Sequence, residues 1–280
     1  MGFVWISLGA LLVGAWLFGA YRLRAETRSI RTQLAQARRP IQPPNVDFRE
    51  LDGVPPSVQR YLRAALTDGQ PMVAQVHLRH RGTFNMSGGL DQWVPFASNQ
   101  QVVTQRPGFD WEGRVRIAPG TTVQVHDAYA AGVATLHASL LGLISLAKAP
   151  PSTSLARDEL MRFLAEATWY PTALLPSQGV VWKAVDDRSA SATLTDGDIS
   201  ATLLFMFDET GMVATVYAAE RGRMKGGESL PTPWRGRFWD YVQLDGMQVP
   251  MQGEVGWLLA EGDQPYWRGK IDSIAHEFAS

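Results

Sequence analysis

The sequence predicts an α+β protein in which one long curved antiparallel sheet, an open half-barrel, lies over central helices and follows a single N-terminal transmembrane helix. Three observations lead there. About eleven short β-rich runs fill the chain after residue 70, punctuated by Pro107-Gly108, Pro119-Gly120, Asp196-Gly197 and Asp245-Gly246 turns. Only two central segments have helical composition. Finally, Phe3 to Tyr21 holds nineteen residues without a charge.

At a rise of about 1.5 Å per residue that uncharged run spans roughly 28 Å, the thickness of a bilayer core. Only Met1 and Gly2 precede it, so it lacks the basic leader of a cleaved signal. Trp5, Trp16 and Tyr21 suit the membrane interfaces, whereas Gly9, Gly14 and Gly19 miss the four-residue spacing of a helix-dimer motif. Arg22, Arg24, Arg28, Arg31, Arg38 and Arg39 follow, opposed only by Glu26, and such an excess marks the cytoplasmic side. The expected location is the inner (cytoplasmic) membrane, single-pass, with the soluble domain in the cytoplasm. Residues 1–24 thus read as the anchor, residues 25–53 as a juxtamembrane helix and a stiff Pro-rich linker over Pro40 to Asp52, and residues 54–280 as the soluble domain.

Within that domain Pro55 and Pro56 open a helix over Ser57 to Leu66 with Val58, Tyr61, Leu62 and Ala65 on one face. Strands are expected over Val73 to Met86, Trp93 to Gln105, Phe109 to Ile117 and Thr122 to Tyr129. The apolar, mostly unbranched Val133 to Ala149 reads as a buried helix. A second helix, Leu155 to Thr168, is capped by Ser154 and ended by Pro171. A meander follows over Val180 to Val185, Ala190 to Leu194, Ile199 to Phe207, Val213 to Arg221, Trp234 to Leu244, Val249 to Leu259 and Tyr266 to Ile274, with Gly222 to Pro233 as a loop. In Ile199 to Phe207 one face is apolar and the other only half polar, which suits a strand that lines an apolar cavity or is covered twice.

Composition narrows the chemistry. A net charge of -1, from 26 basic and 27 acidic side chains among 280 residues, offers no field for nucleic acid, and zero cysteines exclude thiol catalysis, thiolate metal sites and disulfides. Phosphate-loop, His-Glu-x-x-His and Gly-x-Ser-x-Gly patterns are missing. His77 and His80 stand an odd number of residues apart on a strand and so point to opposite faces, which is wrong for a shared metal. His126, His137 and His276 read as hydrogen-bonded structural residues. Arg79 and Arg81 share a face with His77 and read as a solvated row, and the adjacent Asp186 and Asp187 belong to a turn. No cofactor and no metal is expected. Glu166, one helical turn from Arg162, is the most plausible functional carboxylate, although half of a surface ion pair explains it as well.

The segments around Tyr61 (RYLRAAL), Trp93 (WVPFASNQ), Pro107 (PGFDWEGRVRIAPG), Phe163 (FLAEATWYPTALLPSQGVVWKAVDD) and Pro265 (PYWRGKI) resemble a family of uncharacterised bacterial proteins with a domain of unknown function. The likeness runs from about Val54 to Phe278, its most specific part the Trp-x-Pro-Thr-Ala-Leu-Leu-Pro block, and it implies no known activity or catalytic residue. In architecture the order of sheet, helices and meander is similar to the half-barrel of lipoprotein carriers, whose concave face holds acyl chains. Those carriers work in the periplasm, against the cytoplasmic side that the arginines indicate.

The stretch FLAEATWYPTALLP runs from a charged helix into an apolar loop fenced by prolines. One reading makes helix and loop a lid over an apolar cavity lined by Trp169, Leu174, Leu175, Trp182, Phe205 and Glu166, holding a membrane lipid or other hydrophobic small molecule. The competing reading lets helix and loop fill the core, leaving a non-enzymatic scaffold or accessory subunit with a membrane-protein partner. A third keeps an enzyme acting on a membrane substrate through Glu166 and Arg162.

Overall fold

The computed structural model describes residues 2–86, 91–226 and 228–279, with side chains described from residue 13 onward. Six strands, β1 (Val73–Asn85), β2 (Trp93–Val103), β3 (Gly108–Ala118), β4 (Thr121–Ala130), β5 (Val133–Leu140) and β6 (Ile144–Lys148), run as a meander out to one sheet edge. Helix α3 (Thr153–Glu166) then carries the chain to the opposite edge. From there β7 (Val181–Asp186), β8 (Ser189–Asp196), β9 (Ile199–Phe207), β10 (Val213–Lys225), β11 (Glu228–Leu244), β12 (Met247–Leu259) and β13 (Gly262–Phe278) return to the middle. Pairing of β13 with β1, from Val73 opposite Phe278 to Phe84 opposite Trp267, joins the two meanders into one 13-stranded curved antiparallel sheet.

The concave face carries the core. In β9 the alternation holds: Ala201, Leu203, Phe205 and Phe207 are buried while Ser200 and Thr202 face out. Across this face lies α3, touching β9 and β10 on one side and β3, β4 and β5 on the other. Its N-cap is Ser152, whose hydroxyl accepts the Leu155 N–H at 3.2 Å, two residues before the expected Ser154. Helix α2 (Pro56–Ala65) buries Val58, Tyr61, Leu62 and Ala65 against the same core.

Three expectations are corrected. Val133 to Ala149 is not a helix but the β5–β6 hairpin, and β5 pairs with β4 from Val123 opposite Leu140 to Ala130 opposite Val133. Ala131 with Gly132, and Leu141 with Gly142, all have positive φ, so each pair forms a mirror-image hairpin turn that fixes the strand pairing. Ala and Leu seldom adopt that conformation, which hides both turns from a reading of composition. Within the expected loop Gly222 to Pro233, residues 222–225 and 228–233 are strand. Pro231 sits opposite Gly222 in a stretch of β11 that pairs only with β10, because pairing with β12 begins at Trp234, and proline is tolerated where no second neighbour needs its N–H. The Pro40 to Asp52 linker is part of the folded body: Ile41, Val46 and Leu51 are buried, and the Val46 N–H donates to the Gln70 carbonyl at 2.8 Å.

Helix α1 (Gly2–Ala37) runs as one continuous helix through the expected anchor and juxtamembrane segments. Among the described residues no helix is long and apolar enough to cross a membrane, and the side chains of residues 2–12, Trp5 and Gly9 included, lie outside them. Its C-terminal half docks on the outer sheet face, where Ile30 and Leu34 pack with Val103, Ala128 and Ala130. Arg31 Nε donates to Asp110 at 2.7 Å and Nη2 to Glu112 at 3.4 Å, Thr27 pairs with Glu112, and His137 Nδ1 meets Glu26 at 3.4 Å. Leu34 also presses on Gly108 so closely that a Cβ there would clash with it.

His126 joins this docking surface through Asp110, which is fully buried. Burial works against the imidazolium, but the Asp110 hydrogen bond and charge, with Glu26 and Glu112, outweigh it and raise the His126 pKa. Because the folded value lies above the unfolded one, this stabilisation is complete below about pH 6.5 and is lost as pH rises through the folded value. Amide-exchange protection across Ile30 to Leu34 is therefore expected to fall above that point, and His126→Gln to flatten the profile; a profile identical in both proteins would contradict the assignment.

Candidate functional site

A cavity of ≈ 1120 Å³ lies between α3 and the concave face. One wall is aromatic, and its construction is repetitive. Trp111, Trp234 and Trp267 each precede a glycine by two residues, so tryptophan and glycine share a strand face, and a Cβ on Gly113 or Gly269 would enter the indole of Trp111 or Trp267. At Gly236 the Trp234 ring would stand 3.2 Å from such a Cβ. The missing side chains let the indoles lie flat along the sheet, where Phe96 bridges Trp111 (6.3 Å) and Trp267 (5.6 Å).

The opposite wall is charged. On α3, Asp158, Glu159, Arg162 and Glu166 follow at three- and four-residue spacing and so share a face. Arg162 donates to Glu166 at 2.7 Å and to Asp127 of β4 at 2.5 Å, and its guanidinium lies over Phe109 (4.8 Å) and Trp111 (5.1 Å). Burial opposes this charge, yet Glu166, Asp127 and Glu159 more than offset it. Arg221 of β10 stacks on Trp234 at 4.9 Å and stands 3.6 Å from Glu159. Burial first, then the Asp127 charge, pushes Glu159 well above the usual carboxylate range, and burial raises Asp158, which accepts the Gly222 N–H at 3.0 Å. His80, beside Trp169 at 4.9 Å, is driven down to about 3 by burial and by Arg162, so its imidazole is neutral.

The six sequence-derived site residues separate into two sets. Glu166 and Trp169 line the cavity. Leu174, Leu175, Trp182 and Phe205 instead fill the protein's own core: both leucines are fully buried, the Trp182 N–H donates to the Leu174 carbonyl at 2.9 Å, and Trp182 meets Phe205 edge-on at 5.1 Å. The loop around them is three short 3₁₀ turns, Ala167–Trp169, Pro171–Leu174 and Pro176–Gln178, tied to the sheet by Val73 N–H to Thr172 Oγ1 (3.0 Å) and by His276 Nε2 to the Trp169 carbonyl (3.0 Å). It closes one end of the half-barrel.

Glu166 is no surface ion pair. One oxygen takes Arg162 and the other the Gln100 amide at 2.5 Å, so the carboxylate holds both neighbours in place. His77 and His80 do diverge, the first toward Glu277 at 3.2 Å on the outer face. Arg81 pairs with Asp272, as a solvated row requires, and His276 is held by Asp245 at 3.0 Å. Sequence reasoning missed Trp111, Trp234 and Trp267, for which the threefold Trp-x-Gly pattern is the available signal. Asp127 and Arg221 come from strands and carry no local mark.

Residues 52–276 match a family described as of unknown function, DUF6920. The chain belongs to that family. This DUF6920 chain thus carries the family expected from the Trp-x-Pro-Thr-Ala-Leu-Leu-Pro block. Comparison with curated protein sequences returns no match. Among solved structures, a DUF1329 family protein from Desulfovibrio piger aligns with the DUF6920 chain at 11% identity, covering 73% of this chain and 86% of its own, with a TM-score of 0.38. A LolA superfamily protein from Nitrosomonas europaea aligns at 9% identity, covering 90% and 93%, with a TM-score of 0.36.

Proposed function

We propose that the chain binds a lipid or other hydrophobic ligand beneath α3 and that α1 holds it at the inner (cytoplasmic) membrane, with the sheet on the cytoplasmic side. The cavity carries this reading: its ≈ 1120 Å³ lies just above the range of ligand pockets, about 300–1,000 Å³, and its aromatic wall is the edge of the core at Trp111, Trp234 and Trp267. Side chains of the loop after α3 complete the core around it, so the remaining space is a feature of the packing rather than an unfilled interior.

Support for the membrane comes from a second surface. Val13, Trp16, Leu17 and Phe18 of α1 are exposed, and Gly142 in the β5–β6 turn packs against Gly19 and Leu23, placing the exposed Ile144 and Leu146 of β6 on the adjoining hairpin. Arg22, Arg24 and Arg28 remain exposed beside this patch after Arg31 has been drawn into the docking surface, in keeping with the cytoplasmic excess.

Delipidated full-length protein titrated with a fluorescent fatty-acyl probe is expected to show saturable binding of one probe per chain with quenching of tryptophan emission. Native mass spectrometry of detergent-extracted protein should retain a small molecule. Absence of saturable binding would reject the function proposed here.

A further inference from the structure

Beneath the aromatic wall, one corner of the cavity is lined by acidic groups in excess of cations. Asp127 from β4 and Asp158, Glu159 and Glu166 from α3 face Arg162 of α3 and Arg221 of β10, with Arg157 of α3 also beside Asp158. Acidity alone does not make a site. The deciding observation is the hydrogen-bond census of buried side chains around the same space. Gln100 is 2% exposed and lines the cavity; its amide N–H₂ is committed to Glu166, and its Oε1 has no hydrogen-bond partner among the described residues. Asp127 Oδ1, Asp158 Oδ1 and Glu159 Oε2 share that condition among the described residues, whereas the unpartnered nitrogens nearby are Trp169 Nε1 and His80 Nε2 on the wall and Arg157 Nε behind Asp158. Acceptors wait for donors here.

Two of those carboxylates are neighbours. Glu159 and Asp127 lie close enough to hydrogen-bond, which two carboxylates can do only by sharing a proton, and the raised Glu159 value agrees with that. A shared proton is the smallest cation the corner accommodates. We infer that the corner receives the protonated primary amine of an amphiphile whose apolar body lies along the tryptophan wall. Three N–H donors can serve three of the four unpartnered oxygens, and the positive charge takes the place of the shared proton, which Glu159 releases to solvent. The inference rests on the ligand-binding reading of the cavity and adds the chemistry of the head.

Four chain-matched, water-soluble probes separate these levels: octylamine, octanol, octanoate and octyltrimethylammonium, titrated calorimetrically into the full chain in nanodiscs against empty nanodiscs. Octylamine is expected to bind about tenfold tighter than octanol, the size of one charge-assisted hydrogen bond. Titrations in two buffers of different ionisation enthalpy should show proton release on amine binding only. Glu159→Gln is expected to abolish that release while still binding octanol, which also reports that the variant is folded. Octanol or octanoate binding as well as the amine would overturn the inference. So would equal binding of the trimethylammonium probe, which has charge but no donor. Failure of all four probes would instead remove the ligand-binding reading itself.

Discussion

Arg162→Met is expected to lower unfolding stability by about 3–5 kcal/mol, the range seen when one partner of a buried ion cluster is removed. The arginine serves two carboxylates at once, Glu166 at 2.7 Å and Asp127 at 2.5 Å, and its stem and guanidinium cover Phe109 and Trp111. Methionine restores much of the apolar packing and none of the charge, so Asp127 and Glu166 are left facing each other in a poorly solvated space. Neutralising them together, as Arg162→Met with Asp127→Asn and Glu166→Gln, should recover a large part of the loss. Denaturant unfolding measures both, and Arg188→Met supplies the contrast: its pair with Glu209 is 3.8 Å long and exposed (67% and 86%), so its loss should change stability by less than about 1 kcal/mol. Equal effects at Arg162 and Arg188 would refute the buried cluster as an energetic unit.

Gly269→Val ranks second. A Cβ at this position enters the Trp267 indole, and the two methyls beyond it force the ring off the sheet and into the cavity. Overpacking of this kind costs about 1–3 kcal/mol. The displaced indole also occupies the volume offered to a ligand, so loss of probe binding should exceed what the stability change explains. Trp267→Leu with Gly269→Val relieves the collision and should recover stability. Wild-type melting together with wild-type probe affinity in Gly269→Val would show that the ring does not lie across the glycine.

Much of the fold was legible because its signals are local. Asp196-Gly197 and Asp245-Gly246 do join strands, and Ile199 to Phe207 is β9 residue for residue. The β5–β6 hairpin was not legible, since Ala131 and Leu141 accept a backbone conformation their side chains disfavour, and only the paired strands on either side hold them there. The site divides on the same line. Glu166 and Arg162 could be paired by helical spacing, but Asp127 and Arg221 arrive from strands whose neighbours are set by the whole sheet. Leu174, Leu175, Trp182 and Phe205 were recognisable as inward-facing, yet periodicity states direction and says nothing about whether volume remains in that direction. Of the tryptophans that border the space, Trp111, Trp234 and Trp267 are marked by glycines two residues after them, whereas Trp169 and Trp257 are not.

The seam between β1 and β13 sets an order of events during synthesis. The first strand of the sheet must wait for the last one made, and until that strand leaves the ribosome both halves present raw edges along what becomes the centre of the sheet. Helix α1, made before the sheet, already covers part of the early half at β3 and β4, which leaves the free side of β1 as the surface a nascent chain most needs shielded. Truncation of even the final strand therefore converts an interior position into an open border, and C-terminally shortened chains should self-associate through it.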